Sequence, residues 1–492
     1  MKSPIEHIIV LMLENRSFNH LFAYSAIPGL QGVDTSMSNP QPNGPQVSMA
    51  NTAPDVSIGD AGHEFEDVQE QMYWTPAAAR SPTIAMEGFV KSSGPEAMLC
   101  VDPSRLPVLT QLARHFLVCD HWFSSMPGPT WPNRFFVHAG SSGGLANSPS
   151  NLTSIGSVLW STLGFSFDNG TVFEALERAG KSWRIYHGDH FPQVCAIDTM
   201  PSIFVGGSRR FRSFNKFAKD VAGGDVASYT FIEPNYDIFS KFRNGNSQHP
   251  TGALSAGEGL IRAVYQAVST NRAVWTKSLL FVLYDEHGGY YDQEPPPRCI
   301  SPGDSPRNAG KAAHPPNPPF AFDLYGVRVP AVVVSPLLKP NSVSHETYDH
   351  TSVIRTIYDV FALSGQLTSR DGSAKSLAPL LQGVPTSVAP PILPDPHIPP
   401  TWVMVSPAPR TPPSRSIDGF TRIAAQIEHA LNTYDPLRPN STFQEVLRAT
   451  PDIRTTMELP SSADPTESLA YLQKVATKID AHRVAQGEGP VR

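Results

Sequence analysis

The apolar positions of this chain fall into short unbroken runs. The sharpest is Leu279 to Tyr284, which ends abruptly in Asp285-Glu286-His287-Gly288-Gly289. A run of that length without polar alternation predicts a strand covered on both faces. Ile5 to Leu13, apolar without a break from Ile8, predicts a first strand closed at once by Glu14-Asn15-Arg16. Phe116 to Val118, Ser182 to Tyr186, and Val327 to Val334 with Pro330 inside it predict further strands. Between them, Pro107 to His115, Thr171 to Ala179 and Glu258 to Val268 read as helices. Asp349 to Phe361 places Val353, Ile354, Ile357 and Val360 at helical spacing. The alternation across 170–335 predicts an α/β three-layer sandwich with a central, mostly parallel sheet. In such sheets ligands sit at the carboxyl ends of the strands.

Residues 31–62 are rich in Ser, Asn, Pro, Gly and Asp and predict a long surface excursion, followed by a helix from His63 to Met72. The 49 prolines and 35 glycines fit long loops around a compact sheet. The pattern divides the chain into a domain over 1–383 and a proline-rich connection over 384–415. A helical extension over 416–492 would pack on the main domain, with helices expected near 418–431 and 466–484. The proline-rich region is also a candidate surface for homo-oligomerisation.

Charge narrows the functional classes. With 38 basic and 44 acidic residues the net charge is -6, which gives no reason to expect a nucleic-acid surface. The local cluster Arg209-Arg210-Phe211-Arg212 reads as solvated surface or as steering for an anionic substrate. No run reaches the length of a transmembrane helix. The first apolar run lacks a small-residue cleavage site, so a full-length chain is expected to be cytoplasmic, and a mature one secreted or periplasmic. Cysteines at 100, 119, 195 and 299 lack CxxC spacing and read as buried thiols.

Carboxylates at a buried strand end are costly unless paired or bound to a cation. Asp285-Glu286 and Glu14-Asn15 therefore stand out as ligands for a divalent metal ion. Their oxygens favour Ca, Mg or Mn, while nearby histidines leave Fe or Zn open. In Pro127 to Arg134, Pro132 suits a first helical turn. Thr130 would then stand where helix amides favour a phosphate or oxyanion. Metal coordination would activate its hydroxyl as a nucleophile. Arg134 would stabilise phosphoryl oxygens or serve as a structural ion-pair partner. His63, His187, His249 and His287 are candidates for phosphate contact, proton transfer or structural hydrogen bonds. Trp74, Trp122 and Trp131 would stack on a cationic group or line the core. HExxH, GxGxxG and Walker patterns are absent, which disfavours zinc peptidases, dinucleotide enzymes and P-loop ATPases.

Five segments in order carry a family resemblance: Glu14 to Phe18, Gly62 to Asp67, Pro127 to Arg134, His249-Pro250 and Tyr284 to Gly289. Together they resemble the bacterial and fungal phosphoesterase family of phosphatidylcholine phospholipases C and a respiratory-burst-inhibiting acid phosphatase, a branch of the alkaline-phosphatase-like fold. The resemblance implies a metal held by Glu14, Asn15, Thr130, Asp285 and Glu286, and a phospho-threonine intermediate on Thr130. It also implies phosphate or leaving-group contacts from His63 and His249, with His187, His287 and Asn133 as further candidates. Asn19 stands where the family pattern has Asp, and a capping or supporting role is expected there. The expected function is phospholipase C-like cleavage of a phosphodiester, with acid phosphatase action on monoesters as the alternative. Measurable turnover would reject a third reading, a phosphate- or lipid-binding protein without catalysis.

Overall fold

The computed structural model describes residues 3–57, 59–75, 83–150, 157–159, 163–207, 209–385, 389–396, 414–434, 456–458 and 465–491. Its centre is an eight-stranded sheet made from β1 (His7–Leu13), β2 (Leu117–Cys119), β3 (Trp183–His187), β4 (Phe211–Ser213), β5 (Tyr229–Glu233), β6 (Ser278–Tyr284), β7 (Ala331–Val334) and β8 (Ser342–Ser344). The spatial order is β8-β2-β7-β6-β1-β5-β3-β4. β1 and β6 pair in parallel from His7↔Ser278 to Leu13↔Tyr284. Every residue of β6 is buried, as an unbroken apolar run in a doubly covered strand requires. β7 runs antiparallel to both β6 and β2, and the other pairings are parallel.

Helices flank this sheet as an alkaline-phosphatase-like sandwich. α1 (Phe18–Phe22) and α2 (Phe65–Tyr73) follow the two amino-terminal motifs. α3 (Pro107–His115) packs with α6 (Leu254–Thr270), while α4 (Thr130–Ala139) contacts α5 (Val172–Arg178) and α7 (Thr351–Phe361). Glu258 of α6 is wholly buried and accepts the free amides of Val108 and Leu109 in the first turn of α3. That satisfies donors which every helix start leaves open. The predicted strand from Val327 shortens to β7 because Pro330 cannot donate to a ladder. β5 was not legible as a strand: Thr230 and Glu233 break its apolar character, yet both are buried.

Most of the proline-rich connection over 384–415 lies outside the described residues. Beyond it, α8 (Ser414–Thr433) and α9 (Pro465–Ala485) pack on one another, and α8 also packs on Met200–Val205. Phe420 of α8 is buried edge-on against Trp131 at 5.4 Å and lies 5.7 Å from Tyr236. The arginine cluster is a local charge network: Arg209 and Arg212 pair with Asp225, and Arg210 with Glu177. All four cysteines are free thiols. Among the described residues, no helix is long and apolar enough to cross a membrane.

One buried ion pair ties the loops below the first motif together. Arg328 is fully buried, with Nε 3.1 Å from Asp292 Oδ1 and Nη2 2.8 Å from Asn19 Oδ1. Asn19 N–H donates to Asp292 Oδ2, whereas the cap of α1 is Ser17, which accepts from His20 N–H. Asn19 is therefore a support under the first motif and not a cap. Removing one partner of a buried pair strands the other charge, at a cost of about 3–5 kcal/mol. Arg328→Met is expected to destabilise the protein by that order, and Arg328→Met with Asp292→Leu by less. Urea unfolding midpoints of the two variants check this, and equal or larger loss in the double variant contradicts it.

Candidate active site

The register that pairs Leu13 with Tyr284 brings the polar ends of β1 and β6 side by side. Asn15 N–H donates to Asp285 Oδ1 at 3.0 Å, and Arg16 N–H to the Glu286 carbonyl at 2.9 Å. The chain turns here through a left-handed Asn15, φ +58°, a conformation that asparagine tolerates better than most residues. Gly288, φ +64°, lies so close that a Cβ there would meet the Asn15 carbonyl oxygen at 2.2 Å. Only glycine fits that approach.

α4 delivers the third segment. Thr130 is its first residue, and its hydroxyl lies 3.4 Å from Asn15 Oδ1. Arg134, one turn later, donates Nε to Asp285 Oδ2 at 3.0 Å and Nη2 to the carbonyls of Met12 and Leu13. Its guanidinium also lies 3.9 Å from Glu14 Oε1, and Nη1 is buried without a partner. The structure thus joins Glu14, Asn15, Thr130, Arg134, Asp285 and Glu286 into one group. Asn133 is turned elsewhere: its side chain bonds the backbone of Met126, Gly128 and Pro129 and shapes the loop that carries Thr130.

The carboxylates of this group differ in what holds them. Asp285 accepts hydrogen bonds from the Asn15 and Glu286 amides and from Arg134. Glu14 Oε1 accepts from Gln193, and Glu286 Oε2 from Gly288 N–H. Glu14 Oε2 and Glu286 Oε1 are buried and accept nothing. Burial pushes both carboxyls well above the usual range, with Arg134 opposing this at Glu14 and His63 opposing it at Glu286. Two buried, unsatisfied carboxylate oxygens beside amide and hydroxyl oxygens are a donor set that fits a hard divalent cation.

The histidines separate by surroundings. His63 is half-buried and donates Nδ1–H to the Ala61 carbonyl at 2.7 Å. Burial disfavours its charge, but Glu286, Asp60 and Glu64 outweigh that and raise its pKa to about 10. His249 is buried and stacked on Phe242, with Nε2 3.6 Å from Asp60, and burial lowers it to about 4. His287 points to Gln71, at 2.7 Å, and burial lowers it to about 3. His187, at the end of β3, bonds the Asp189 carbonyl and keeps a buried Nε2 without a partner. It makes no hydrogen bond to the Thr130 group. Trp122 and Trp131 are buried and unavailable to a headgroup, and half-buried Trp74 carries Lys91 over its ring at 5.3 Å.

Several supports of the site lie outside the sequence motifs. Asp60, which links the fields of His63 and His249, sits three residues before the His63 signal. Gln193 and Gln71 carry no motif signal at all. His350, at the amino terminus of α7, donates Nε2–H to the Asp285 carbonyl, 2.6 Å away. Gly140-Ser141-Ser142-Gly143-Gly144 has GxSxG spacing, but it follows the end of α4 and buries Ser142, so no nucleophile elbow forms there. Away from the Thr130 group, Asp120, His121 and His345 bring potential metal-ligand atoms within 4.8 Å of one another.

The sequence pattern of the Phosphoesterase family matches residues 5–364. The chain belongs to that family. Among its relatives is Non-specific phospholipase C3 of Arabidopsis thaliana, 34% identical over 404 residues, covering 76% of this chain and 73% of the relative. Phospholipase C B of Mycobacterium tuberculosis is 26% identical, covering 72% and 73%. Non-hemolytic phospholipase C of Burkholderia pseudomallei is also 26% identical, covering 72% of this chain and 54% of the relative. This phosphoesterase is a metal-dependent phosphoester hydrolase related to the phospholipases C.

The carboxylate field around His63 has a pH consequence. Its folded-state pKa of about 10 lies above the ordinary 6.5. Protonated His63 therefore contributes stability fully below about pH 6.5, and that contribution is lost as pH rises through about 10. In the metal-free phosphoesterase, histidine NMR at pH 7 is expected to find His63 charged and His249 and His287 neutral. Asp60→Asn should lower the His63 midpoint. A wild-type His63 midpoint near 6.5 contradicts the field described above.

Proposed function

We propose that this enzyme cleaves a phosphodiester in the manner of a phospholipase C, with Thr130 as nucleophile. The observation that carries the proposal is the Thr130 hydroxyl at the start of a helix, 3.4 Å from Asn15 Oδ1, the residue whose neighbour Glu14 and whose partner strand end at Glu286 each keep an unsatisfied carboxylate oxygen. Helix amides there favour phosphoryl oxygens. Glu14, Asn15, Thr130, Asp285 and Glu286 would hold the ion. A bound divalent ion supplies charge to the phosphoryl oxygens and lowers the pKa of the threonine hydroxyl.

Thr130 Oγ1 forms a bond to phosphorus while the bond to the leaving alkoxide breaks in line. His63 is the imidazole that a substrate reaches from the surface, and it protonates the leaving oxygen. His249, 3.6 Å from Asp60, would contact the phosphoryl group, and the threonine proton passes to solvent water. Water then attacks phosphorus of the phospho-threonine, which releases the phosphate monoester and restores the hydroxyl. Arg134 holds Asp285 and the end of β1 in register for both steps. The relatives are named as phospholipases C, which supports a phospholipid as substrate and diacylglycerol as first product. A monoester substrate would run through the same two displacements.

Acid quench during turnover, followed by peptide mass spectrometry, is expected to find phosphate on Thr130. Thr130→Ala should remove the adduct and lower kcat by about three orders of magnitude or more, with the fold intact. A Thr130→Ala enzyme with unchanged turnover overturns the nucleophile. Parallel assays on choline-phospholipid vesicles and a phosphate monoester decide the substrate. Preference for the monoester would make this an acid phosphatase.

A further inference from the structure

β2 ends at Cys119, and the next residue buries its carboxylate completely. Asp120 lies at the same edge of the sheet as Asp285, separated by β7 and two strand spacings, about 10 Å. His121 Nδ1 is 2.8 Å from Asp120 Oδ1, and His345 Nδ1, just after β8, is 2.8 Å from Oδ2. Gln31 N–H donates to the same Oδ2 at 2.8 Å. Among the described residues the ion-pair partners of this carboxylate are those two imidazoles. Arg328 passes nearby but donates to the Asp120 carbonyl oxygen instead.

Three features distinguish this cluster from a set of surface hydrogen bonds. The carboxylate is at 0% exposure, while the imidazoles are at 18% and 42%, so a fixed anchor faces movable ligands that solvent reaches. One ligand atom from each residue lies within 4.8 Å of the others. The far nitrogen of His121, Nε2, faces Glu294 Oε1 at 3.9 Å. Metal-binding imidazoles commonly have an outer carboxylate on their second nitrogen, and Glu294 is placed on that side as an electrostatic neighbour.

We propose that Asp120, His121 and His345 form a second metal site, suited to zinc and separate from the carboxylates around Thr130. Two imidazoles and one carboxylate suit a borderline ion, whereas the all-oxygen set at Glu14 and Glu286 suits a hard one. The ion takes the place of the protons between Nδ1 and the carboxylate, and three protein ligands leave a fourth position for water. It ties the end of β2 to the start of the loop after β8 and to the 31–32 turn. An ion bound only by the folded chain stabilises it. The assignment is independent of the Thr130 reading, because no residue is shared and the test needs no turnover.

The full-length chain is stripped with chelator, dialysed against limiting zinc and assayed for zinc per chain, with the thermal midpoint followed in parallel. Wild type is expected to hold one equivalent more than His121→Ala/His345→Ala, and zinc should raise the midpoint of wild type alone. His345→Gln, at a half-exposed position, guards against misfolding and should lose the same equivalent. Glu14→Gln/Glu286→Gln should retain it. Equal zinc in wild type and both histidine variants overturns the site, as does its loss in Glu14→Gln/Glu286→Gln.

Discussion

Two carboxylate oxygens with nothing to bind, Glu14 Oε2 and Glu286 Oε1, set the terms for the whole catalytic edge. Each belongs to a side chain that the pairing of β1 with β6 forces below the surface. A buried carboxylate either takes a proton or finds a cation. Proton uptake would leave the oxygens neutral and the neighbouring imidazole of His63 without its field. The ion proposed for this site would supply that cation without protonating either carboxylate.

The surrounding structure reads as scaffolding for that arrangement. Arg134 spends its guanidinium on Asp285 and on the last carbonyls of β1, so α4 cannot move without moving the strand ends. Asn133 clamps the loop before Thr130. Arg328, Asp292 and Asn19 lock the segment below the first motif. Phe420 reaches in from the carboxyl-terminal helices to pack on Trp131 and Tyr236, and Arg134 sits 5.5 Å over the Tyr236 ring. The extension is therefore in contact with the walls of the site rather than with its reacting groups.

Much of this was legible in the sequence because the chemistry sits where apolar runs stop. β1 and β6 announced themselves as unbroken hydrophobic stretches, and the acids after them could only be at a strand end. The helix carrying Thr130 was legible from Pro132 and its neighbours. What failed to show was whatever depends on contacts distant in sequence. Gln193 meets Glu14 across 179 positions, and His350 meets the Asp285 carbonyl across 65. β5 hid because its buried Thr230 and Glu233 look like surface residues in one dimension. The Asn133 and His287 side chains turn toward loop and helix supports, an orientation that their place in the motifs does not reveal. Asp120, His121 and His345 were invisible because one of the three, His345, lies 225 residues from Asp120.

The role proposed for Glu14 and Glu286 is to hold a hard cation. Calcium, magnesium and manganese titrated in turn into chelated protein, with the thermal midpoint as readout, test it directly. At least one ion is expected to raise the midpoint of wild type and leave Glu14→Gln/Glu286→Gln unmoved, while that variant without metal melts above metal-free wild type. Equal responses of the two proteins, or no response of wild type to any of the ions, would contradict the account.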